Sequence, residues 1–269
     1  MTAIEKCMRK LREKGEGAII AYVCGGDPNP KHTYNIVDSL IRGGADIIEL
    51  GIPFSDPIAD GPTIQAASTR ALKAGTTPAK VMEIAQEVKR KNPSHPLVIL
   101  TYYNPIFRIG LERFFKIAYD NLIDGVIIPD LPVEESKDYK RIANDYGIAT
   151  IFMATPNTSK TRLEKIITYT SGFLYLVSIF GVTGTRERVH GLTIKTLKQI
   201  TPQINGRIPL AVGFGISKPD HVKTIIKNGA DGVIVGSAFV RIIEEYQKNP
   251  EKMLEKIEEK TLQLKSGTR

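Results

Sequence analysis

The chain of 269 residues contains no tryptophan, only two cysteines and only four histidines. Cys7 and Cys24 do not follow the ligand spacing of a zinc site, and the histidines are dispersed along the sequence. The composition therefore argues against a metal site, and we expect none. So few cysteines are typical of a reducing compartment, which predicts a cytoplasmic protein.

The sequence also lacks any apolar run long enough to cross a membrane, and Met1 leads directly into a charged amphipathic segment. We therefore expect no membrane association. The formal net charge is +8, from 37 basic and 29 acidic residues, but the lysines are interspersed with acids. Without a basic stripe carrying aromatic residues, this charge favours a small anionic substrate over a nucleic acid. Nucleic-acid binding stays an alternative, and it would appear as salt-dependent retention of DNA.

Short apolar segments of strand length alternate with helical patterns along the chain, which predicts parallel strands covered by helices. The predicted strands are 18–23, 46–50, 97–102, 126–128, 148–153, 173–177, 208–212 and 232–235. The predicted helices are 2–14, 30–42, 62–73, 78–91, 111–121, 134–146, 159–170, 192–203, 218–228, 238–246 and 251–264. Eight strands close a parallel barrel, whereas a doubly wound sheet more often has five to seven. The sequence thus predicts an α/β protein, one (β/α)8 TIM barrel domain over residues 1–269, with an extra N-terminal helix and further extra helices.

One stretch, residues 46–62, organises the predicted site. It begins as an apolar strand that delivers Glu49, and Gly51 and several prolines then stiffen a loop that carries Asp60. A carboxyl group at a dry strand end and a second one on a wetter loop suit general acid and base roles. Either residue alone could instead be a salt-bridged strand end or a turn former. Both on one braced loop indicate a catalytic pair.

Other candidate groups follow the later strands, where the carboxyl ends of a barrel place functional residues. Tyr175 lies on the predicted strand 173–177 and points either into a site or into the core, which the sequence leaves open. Glycine-rich turns follow the last three strands and could bring backbone N–H groups to a phosphate, although each could also be an ordinary tight turn. The long connection 179–191 is a candidate lid or a plain insertion. The turn glycines are Gly181, Gly184, Gly213, Gly215 and Gly236.

These motifs closely resemble the tryptophan synthase α subunit family over nearly the whole chain. The stretch from Glu49 to Pro62 is the most specific, followed by the turns that begin at Gly181, Gly213 and Gly236. The resemblance implies a TIM barrel that cleaves indole-3-glycerol phosphate by a retro-aldol reaction to indole and glyceraldehyde 3-phosphate. It implies that Glu49 is the general acid and base, that Asp60 is the second catalytic carboxylate and that Tyr175 borders the pocket.

The resemblance also implies the remaining site residues and the partner. Tyr22 and Leu100 would enclose the indole ring, and Pro53, Asp56 and Asn104 would face a tryptophan synthase β subunit in an α2β2 tetramer. The implied substrate-binding and phosphate-binding residues are Thr183, Gly184, Gly213, Phe214, Gly215, Gly236 and Ser237. No cofactor is expected in this chain, because pyridoxal phosphate belongs to the β subunit.

The chain departs from the family pattern at Tyr22, where phenylalanine is common, and at Cys24 and Ile179. These differences bear on pocket shape more than on reaction type. Two rival hypotheses stay open from sequence alone. The first is another phosphate-binding barrel enzyme, although no strand here ends in lysine. The second is an inactive barrel that serves only to activate a partner, which an assay of indole release would test.

Overall fold

The strands form one fully parallel sheet that curves into a barrel. The computed structural model describes residues 1–177, 191–213 and 215–269. The strands are β1 (Ala18–Cys24), β2 (Ile47–Gly51), β3 (Leu97–Leu100), β4 (Gly125–Ile127), β5 (Ala149–Ile151), β6 (Met153–Ala154), β7 (Leu174–Val177), β8 (Leu210–Gly213) and β9 (Gly232–Val235). Their order is β5-β4-β3-β2-β1-β9-β8-β7-β6, and every neighbouring pair is parallel.

The two ends of this order, β5 and β6, are halves of one barrel strand that Phe152 interrupts. β5 pairs with β4 on one side, and β6 pairs with β7 on the other. The Phe152 ring contacts Tyr139 and Tyr169 edge-on at centroid distances of 5.8 and 6.3 Å, outside the barrel. The predicted strand 148–153 is therefore present in two pieces. The predicted eight-stranded TIM barrel is confirmed, and the described residues form it with nine strand segments.

Alternate residues of the strands face two separate apolar layers. Side chains such as Ile20, Ile47 and Val98 fill the barrel interior, while the residues between them pack under the helices. The extra helix α1 (Ala3–Glu13) closes the N-terminal end of the barrel, because Ile4 and Met8 are fully buried in the interior layer. A functional site is therefore expected at the opposite, C-terminal end of the barrel.

The helices cover the outer layer close to their predicted positions. After α1 they are α2 (Pro30–Arg42), α3 (Pro62–Lys73), α4 (Pro78–Lys91), α5 (Tyr103–Ile109), α6 (Leu111–Asp120), α7 (Lys137–Asp145), α8 (Lys160–Tyr169), α9 (Gly191–Ile204), α10 (Pro219–Lys227), α11 (Ser237–Tyr246) and α12 (Pro250–Lys265), with 3-10 turns at Val133–Glu135 and Ser266–Thr268. The sequence missed α5, because Pro105 suggests a turn. Proline is tolerated there, since it falls in the first turn of α5, where backbone N–H groups have no partner within the helix.

Aspartates fasten neighbouring strands together at the N-terminal end of the barrel. Each one directly precedes a strand. Its carboxylate accepts a hydrogen bond from the backbone N–H of the first or second residue of the neighbouring strand. The three pairs are Asp46 with Ile19, Asp124 with Leu97 and Asp231 with Leu210, each at 2.8 Å. The repeated Gly-Ala-Asp sequence before β2 and β9 is explained, because Gly44 and Gly229 turn the chain with φ of 95° and 98° before the aspartate.

We expect Asp124→Ala to destabilise the fold more than Asp231→Ala does. Lys89 is 7% exposed and donates to Asp124 at 2.8 Å, so the variant leaves a buried ammonium group without its carboxylate. Losing one partner of such a buried pair lowers the free energy of unfolding by about 3–5 kcal/mol. Asp231→Ala is the control, because its cation, Arg12, is exposed and 3.7 Å away, so about 1–2 kcal/mol is expected. Urea unfolding measures both values, and equal losses would contradict the argument.

Candidate active site

A cavity opens at the C-terminal end of the barrel strands. Its empty volume, counted out through its open mouth, is about 720 Å³. Eight of the residues that the sequence predicted lie on it, namely Tyr22, Glu49, Asp60, Leu100, Tyr175, Gly215, Gly236 and Ser237. The sequence reasoning did not identify the remaining lining residues, which are Ala59, Gly61, Ile64, Pro129, Met153, Ile216 and Ile234. Most of these are apolar, so no chemical signal distinguishes them from core residues in the sequence.

Glu49 is buried in the wall of this cavity. It is the third of five residues of β2, paired with Tyr22 of β1 and Val98 of β3, rather than at the end of the strand as the sequence suggested. Its side chain is 1% exposed, and its Oε2 has no hydrogen-bond partner in the described part of the chain. Burial, and then the negative charge of Asp60, raise the pKa of Glu49 to about 8. Glu49 therefore carries a proton at neutral pH and is able to donate it.

Asp60 faces the same cavity from the loop after β2. Its pKa is raised by burial, and a hydrogen bond from the Tyr102 hydroxyl opposes that shift by stabilising the carboxylate. The residue directly precedes Gly61, the N-terminal cap of α3, and the positive end of a helix dipole also favours an ionised carboxylate. The two acidic groups thus lie in different surroundings. Among the described residues Glu49 has no compensating donor, whereas Asp60 has two influences that favour its charge.

Tyr102 supports the loop that carries Asp60. Its ring stacks on Phe54 at a centroid distance of 5.3 Å, and its hydroxyl oxygen accepts the backbone N–H of Ala59 at 3.0 Å. Tyr102 itself is 2% exposed, so its own position is fixed by the core. The sequence offered Tyr102 only as a strand end. Its contact with Asp60 depends on how the loop folds back over β3, and local sequence does not show this.

We expect Tyr102→Phe to lower kcat by about 10-fold, below the hundredfold effect that a 1 Å displacement can produce. The variant removes the donor that lowers the pKa of Asp60, so this pKa rises further and the acidic limb of the pH–rate profile moves to higher pH. The control is Tyr139→Phe, which removes another buried hydroxyl, bonded to the Val126 carbonyl at 2.9 Å, outside the cavity. An unchanged acidic limb in Tyr102→Phe would contradict this role.

Tyr175 and Tyr22 both point into the barrel, which answers the question that the sequence left open for Tyr175. Burial, followed by the charges of Glu49 and Asp60, raises the pKa of Tyr175 well above its usual value. It is therefore neutral at pH 7 and is a hydrogen-bonding group rather than a base. A Cβ atom at Gly213 would collide with the Tyr175 hydroxyl, so the Tyr175 ring alone accounts for glycine at that position.

The N-terminus of α11 faces the cavity. Gly236 caps α11, and both Gly236 and Ser237 line the cavity, so the first backbone N–H groups of α11 are available to an anion. Gly215 also lines the cavity, but α10 begins only at Pro219, so the turn at Gly215 does not open a helix directly. Three predicted binding residues, Thr183, Gly184 and Phe214, lie outside the described residues, as does the predicted lid apart from Gly191.

The residues predicted to meet a partner differ in exposure. Asp56 and Asn104 are exposed, whereas Pro53 is buried at the base of the loop. Two large apolar side chains, Ile58 and Phe107, are 82% and 72% exposed on the same two segments, the Asp60 loop and α5. Exposed apolar residues of this size on neighbouring segments are typical of an interaction surface.

The described ranges contain neither a metal-binding cluster nor a membrane-spanning helix. Residues 1–177, 191–213 and 215–269 contain no cluster of three or more His, Cys, Asp or Glu side chains that could hold a metal ion. In the same ranges, no helix is long and apolar enough to span a membrane.

Comparison with known proteins gives one consistent family. The family model described as "Tryptophan synthase alpha chain" matches residues 8–269. A protein of that name from Methanosarcina acetivorans is 50% identical over 258 residues, which is 96% of this chain and 91% of that protein. Its counterpart from Carboxydothermus hydrogenoformans is 45% identical over 269 residues, with 99% of both chains covered.

Solved structures agree with the sequence matches. The tryptophan synthase α2β2 complex from Pyrococcus furiosus contains a chain with a TM-score of 0.86 and 43% identity, covering 93% of this chain and 98% of that one. The tryptophan synthase subunit alpha from Legionella pneumophila has a TM-score of 0.88 at 31% identity, covering 100% of this chain and 98% of that one.

Proposed function

The chain belongs to the tryptophan synthase alpha chain family, and we propose that its cavity is where it cleaves indole-3-glycerol phosphate to indole and glyceraldehyde 3-phosphate. The chain is a lyase of tryptophan biosynthesis. The observation that carries the assignment of the site is the burial of Glu49 beside Asp60 in an otherwise largely apolar cavity. A proton donor, a charge stabiliser and an apolar surface for an indole ring are the groups that this cleavage requires.

Glu49 moves the proton. Protonated at neutral pH, it gives its proton to C3 of the indole, and the ring nitrogen then carries positive charge. The resulting carboxylate accepts the proton of the side-chain hydroxyl next to the bond that breaks. As that O–H bond becomes a C=O bond, the electrons of the C–C bond return to the indole ring and neutralise its nitrogen. Glu49 ends protonated, so no proton is gained or lost overall.

Asp60 stabilises the charge that develops on the indole N–H. As a carboxylate at the start of α3, it is the better placed of the two acids to stay ionised, and a fixed negative charge in a dry cavity acts strongly. Tyr175 borders the reacting atoms as a neutral hydroxyl group. Tyr22 and Leu100 enclose the ring together with Ile64 and Met153, which also line the cavity.

The substrate phosphate binds at the N-terminus of α11. Gly236 and Ser237 supply the backbone N–H groups and Gly215 the neighbouring turn, and we add Gly213, Phe214, Thr183 and Gly184 on the strength of the family resemblance. Binding energy from the phosphate, remote from the bond that breaks, holds the reacting end in place.

Ser237→Asp tests the phosphate site. A negative side chain at the first residue of α11 repels the phosphate, so we expect KM for indole-3-glycerol phosphate to rise at least about 10-fold, from roughly 1.4 kcal/mol of lost binding. The KM for the dephosphorylated substrate should not change. Ser237 is preferable to Gly236 because a side chain at Gly236 would also crowd Tyr22, 3.0 Å away.

Ser159→Asp is the matched control, because Ser159 caps the N-terminus of α8 away from the cavity and aspartate is an equally good cap. A steady-state assay of indole release measures all three proteins. An equal rise of KM for both substrates in Ser237→Asp would show that the substrate phosphate does not bind at the N-terminus of α11.

The partner is a tryptophan synthase β subunit in an α2β2 tetramer, the assembly that the P. furiosus structure contains. We assign Asp56 and Asn104 to the contact surface, with Ile58 and Phe107 as its apolar part and Pro53 as the buried support of the loop. The reaction of this chain uses carboxyl groups and backbone donors, so pyridoxal phosphate is assigned to the β subunit. We treat residues 1–269 as one domain and place the enzyme in the cytoplasm, where the free thiols of Cys7 and Cys24 stay reduced.

A further inference from the structure

One arginine connects three segments that surround the cavity. Arg70 lies on α3 and donates to both carboxylate oxygens of Asp27, at 2.7 and 2.9 Å, and to Glu244 of α11, at 3.0 Å. Asp27 is completely buried in the connection that follows β1, and the Arg70 side chain is 17% exposed. A forked arginine between two fixed carboxylates restrains direction as well as distance.

Each of the three segments begins or ends at the proposed active site. The chain enters α3 directly from Asp60 and Gly61, α11 begins at Gly236 and Ser237, and β1 carries Tyr22. The group proposed to act on the indole nitrogen and the group proposed to hold the phosphate are therefore each at the start of a helix that Arg70 contacts.

The Asp60 loop depends on such a restraint because it has little packing of its own. Within the loop, Ser55, Asp56, Ile58 and Ala59 are exposed. Tyr102 holds the loop through its ring contact with Phe54 and its hydrogen bond with the N–H of Ala59, next to Asp60. The loop then leads directly into α3, and a helix is stiff enough that fixing its middle also fixes its first turn.

We propose that Arg70 is a positioning residue that sets the distance between Asp60 and the phosphate-binding end of α11. This inference rests on the proposed function of those two sites. A phosphorylated substrate is held at both ends, so a small displacement of α3 relative to α11 places Asp60 out of reach of the indole N–H. A substrate without phosphate is held only at its indole end. It can therefore shift together with Asp60 when α3 is displaced.

The test compares these two substrates in Arg70→Lys. Lysine retains the positive charge beside buried Asp27, but it cannot hold Asp27 and Glu244 in a fixed fork. We expect kcat for indole-3-glycerol phosphate to fall about 10- to 100-fold, while the rate with the dephosphorylated substrate falls less than about 3-fold, within the context-dependence of such effects. Glu244→Ala, at a half-exposed position, removes only the contact to α11 and should show the same split to a smaller extent.

The control is the double variant Lys89→Gln with Asp124→Asn, which alters another buried ion pair at the opposite end of the barrel. It should lower stability without separating the two substrates. All assays are run where circular dichroism shows each protein folded.

An equal loss for both substrates in Arg70→Lys, full activity in that variant, or the same split in the control would overturn the proposal. Asp60→Asn in the same series separates this outcome from failure of the proposed function. If Asp60→Asn is fully active, the assignment of the catalytic carboxylate fails. If it is inactive while Arg70→Lys behaves as wild type, only the positioning role fails.

Discussion

Glu49→Gln and Asp60→Asn each lower the rate of indole formation by at least about 100-fold, the low end for positioned acid and base groups. Both amides are close in shape to the acids they replace, so the fold is retained. Glutamine at position 49 has no proton to give to C3 and cannot accept one from the hydroxyl. Asparagine at position 60 hydrogen-bonds the indole nitrogen without a negative charge.

A steady-state assay of indole release measures these losses, and circular dichroism confirms that each variant is folded. The matched control is Glu164→Gln, which changes an exposed carboxylate of α8 and should leave the rate unchanged. The double variant Glu49→Gln with Asp60→Asn should be little worse than either single variant, because groups that act in one step are not additive. Near-normal turnover in either single variant would contradict the assignment.

The second large effect is on stability, and its sign is unusual for a catalytic substitution. We expect Glu49→Gln to be more stable than wild type in alkaline solution. In the unfolded chain Glu49 ionises near its ordinary pKa of 4.5, whereas in the fold burial raises this pKa to about 8. Between these values the native state binds one more proton than the unfolded state, so the free energy of unfolding falls as pH rises.

The stabilisation from protonated Glu49 is fully present below pH 4.5 and is lost as pH rises through about 8. Each unit of pKa shift corresponds to about 1.4 kcal/mol, so the variant should gain several kcal/mol over wild type between pH 5 and pH 9. Urea unfolding at several pH values measures the difference. Glu164→Gln is a control of opposite sign, because a hydrogen bond from Arg207 lowers the pKa of Glu164 and that substitution should only destabilise. A pH-independent difference for Glu49→Gln would mean that Glu49 is ionised in the fold.

Much of this molecule could be predicted from sequence because its signals are local. Apolar runs between helical segments predicted the barrel, and the proline-braced loop predicted the pair Glu49 and Asp60. The split at Phe152 was missed, because it depends on the packing of that ring against Tyr139 and Tyr169. The helix at Tyr103 was missed, because Pro105 suggests a turn. The direction of Tyr175 was open, since a one-residue shift in a strand turns a side chain to the opposite face.

The sequence did not predict which residues support the site. Tyr102 contacts Ala59 across 43 positions, and Arg70 contacts Asp27 across 43 and Glu244 across 174. Neither residue carries a motif, and an isolated arginine in an amphipathic helix is typical of a solvated surface. Their roles follow only from the barrel topology, which brings the ends of distant strands together at one rim.

The ionisation of Glu49 is the most direct test of the mechanism. The chain labelled with ¹³C at the glutamate side-chain carboxyl carbon gives one signal per glutamate, and the spectrum of Glu49→Gln identifies the signal of Glu49. Titration of that signal should show a protonated carboxyl group at pH 6 and a midpoint of about 8. A midpoint near 4.5, the ordinary value for glutamate, would show an ionised Glu49 at neutral pH and contradict its role as the proton donor.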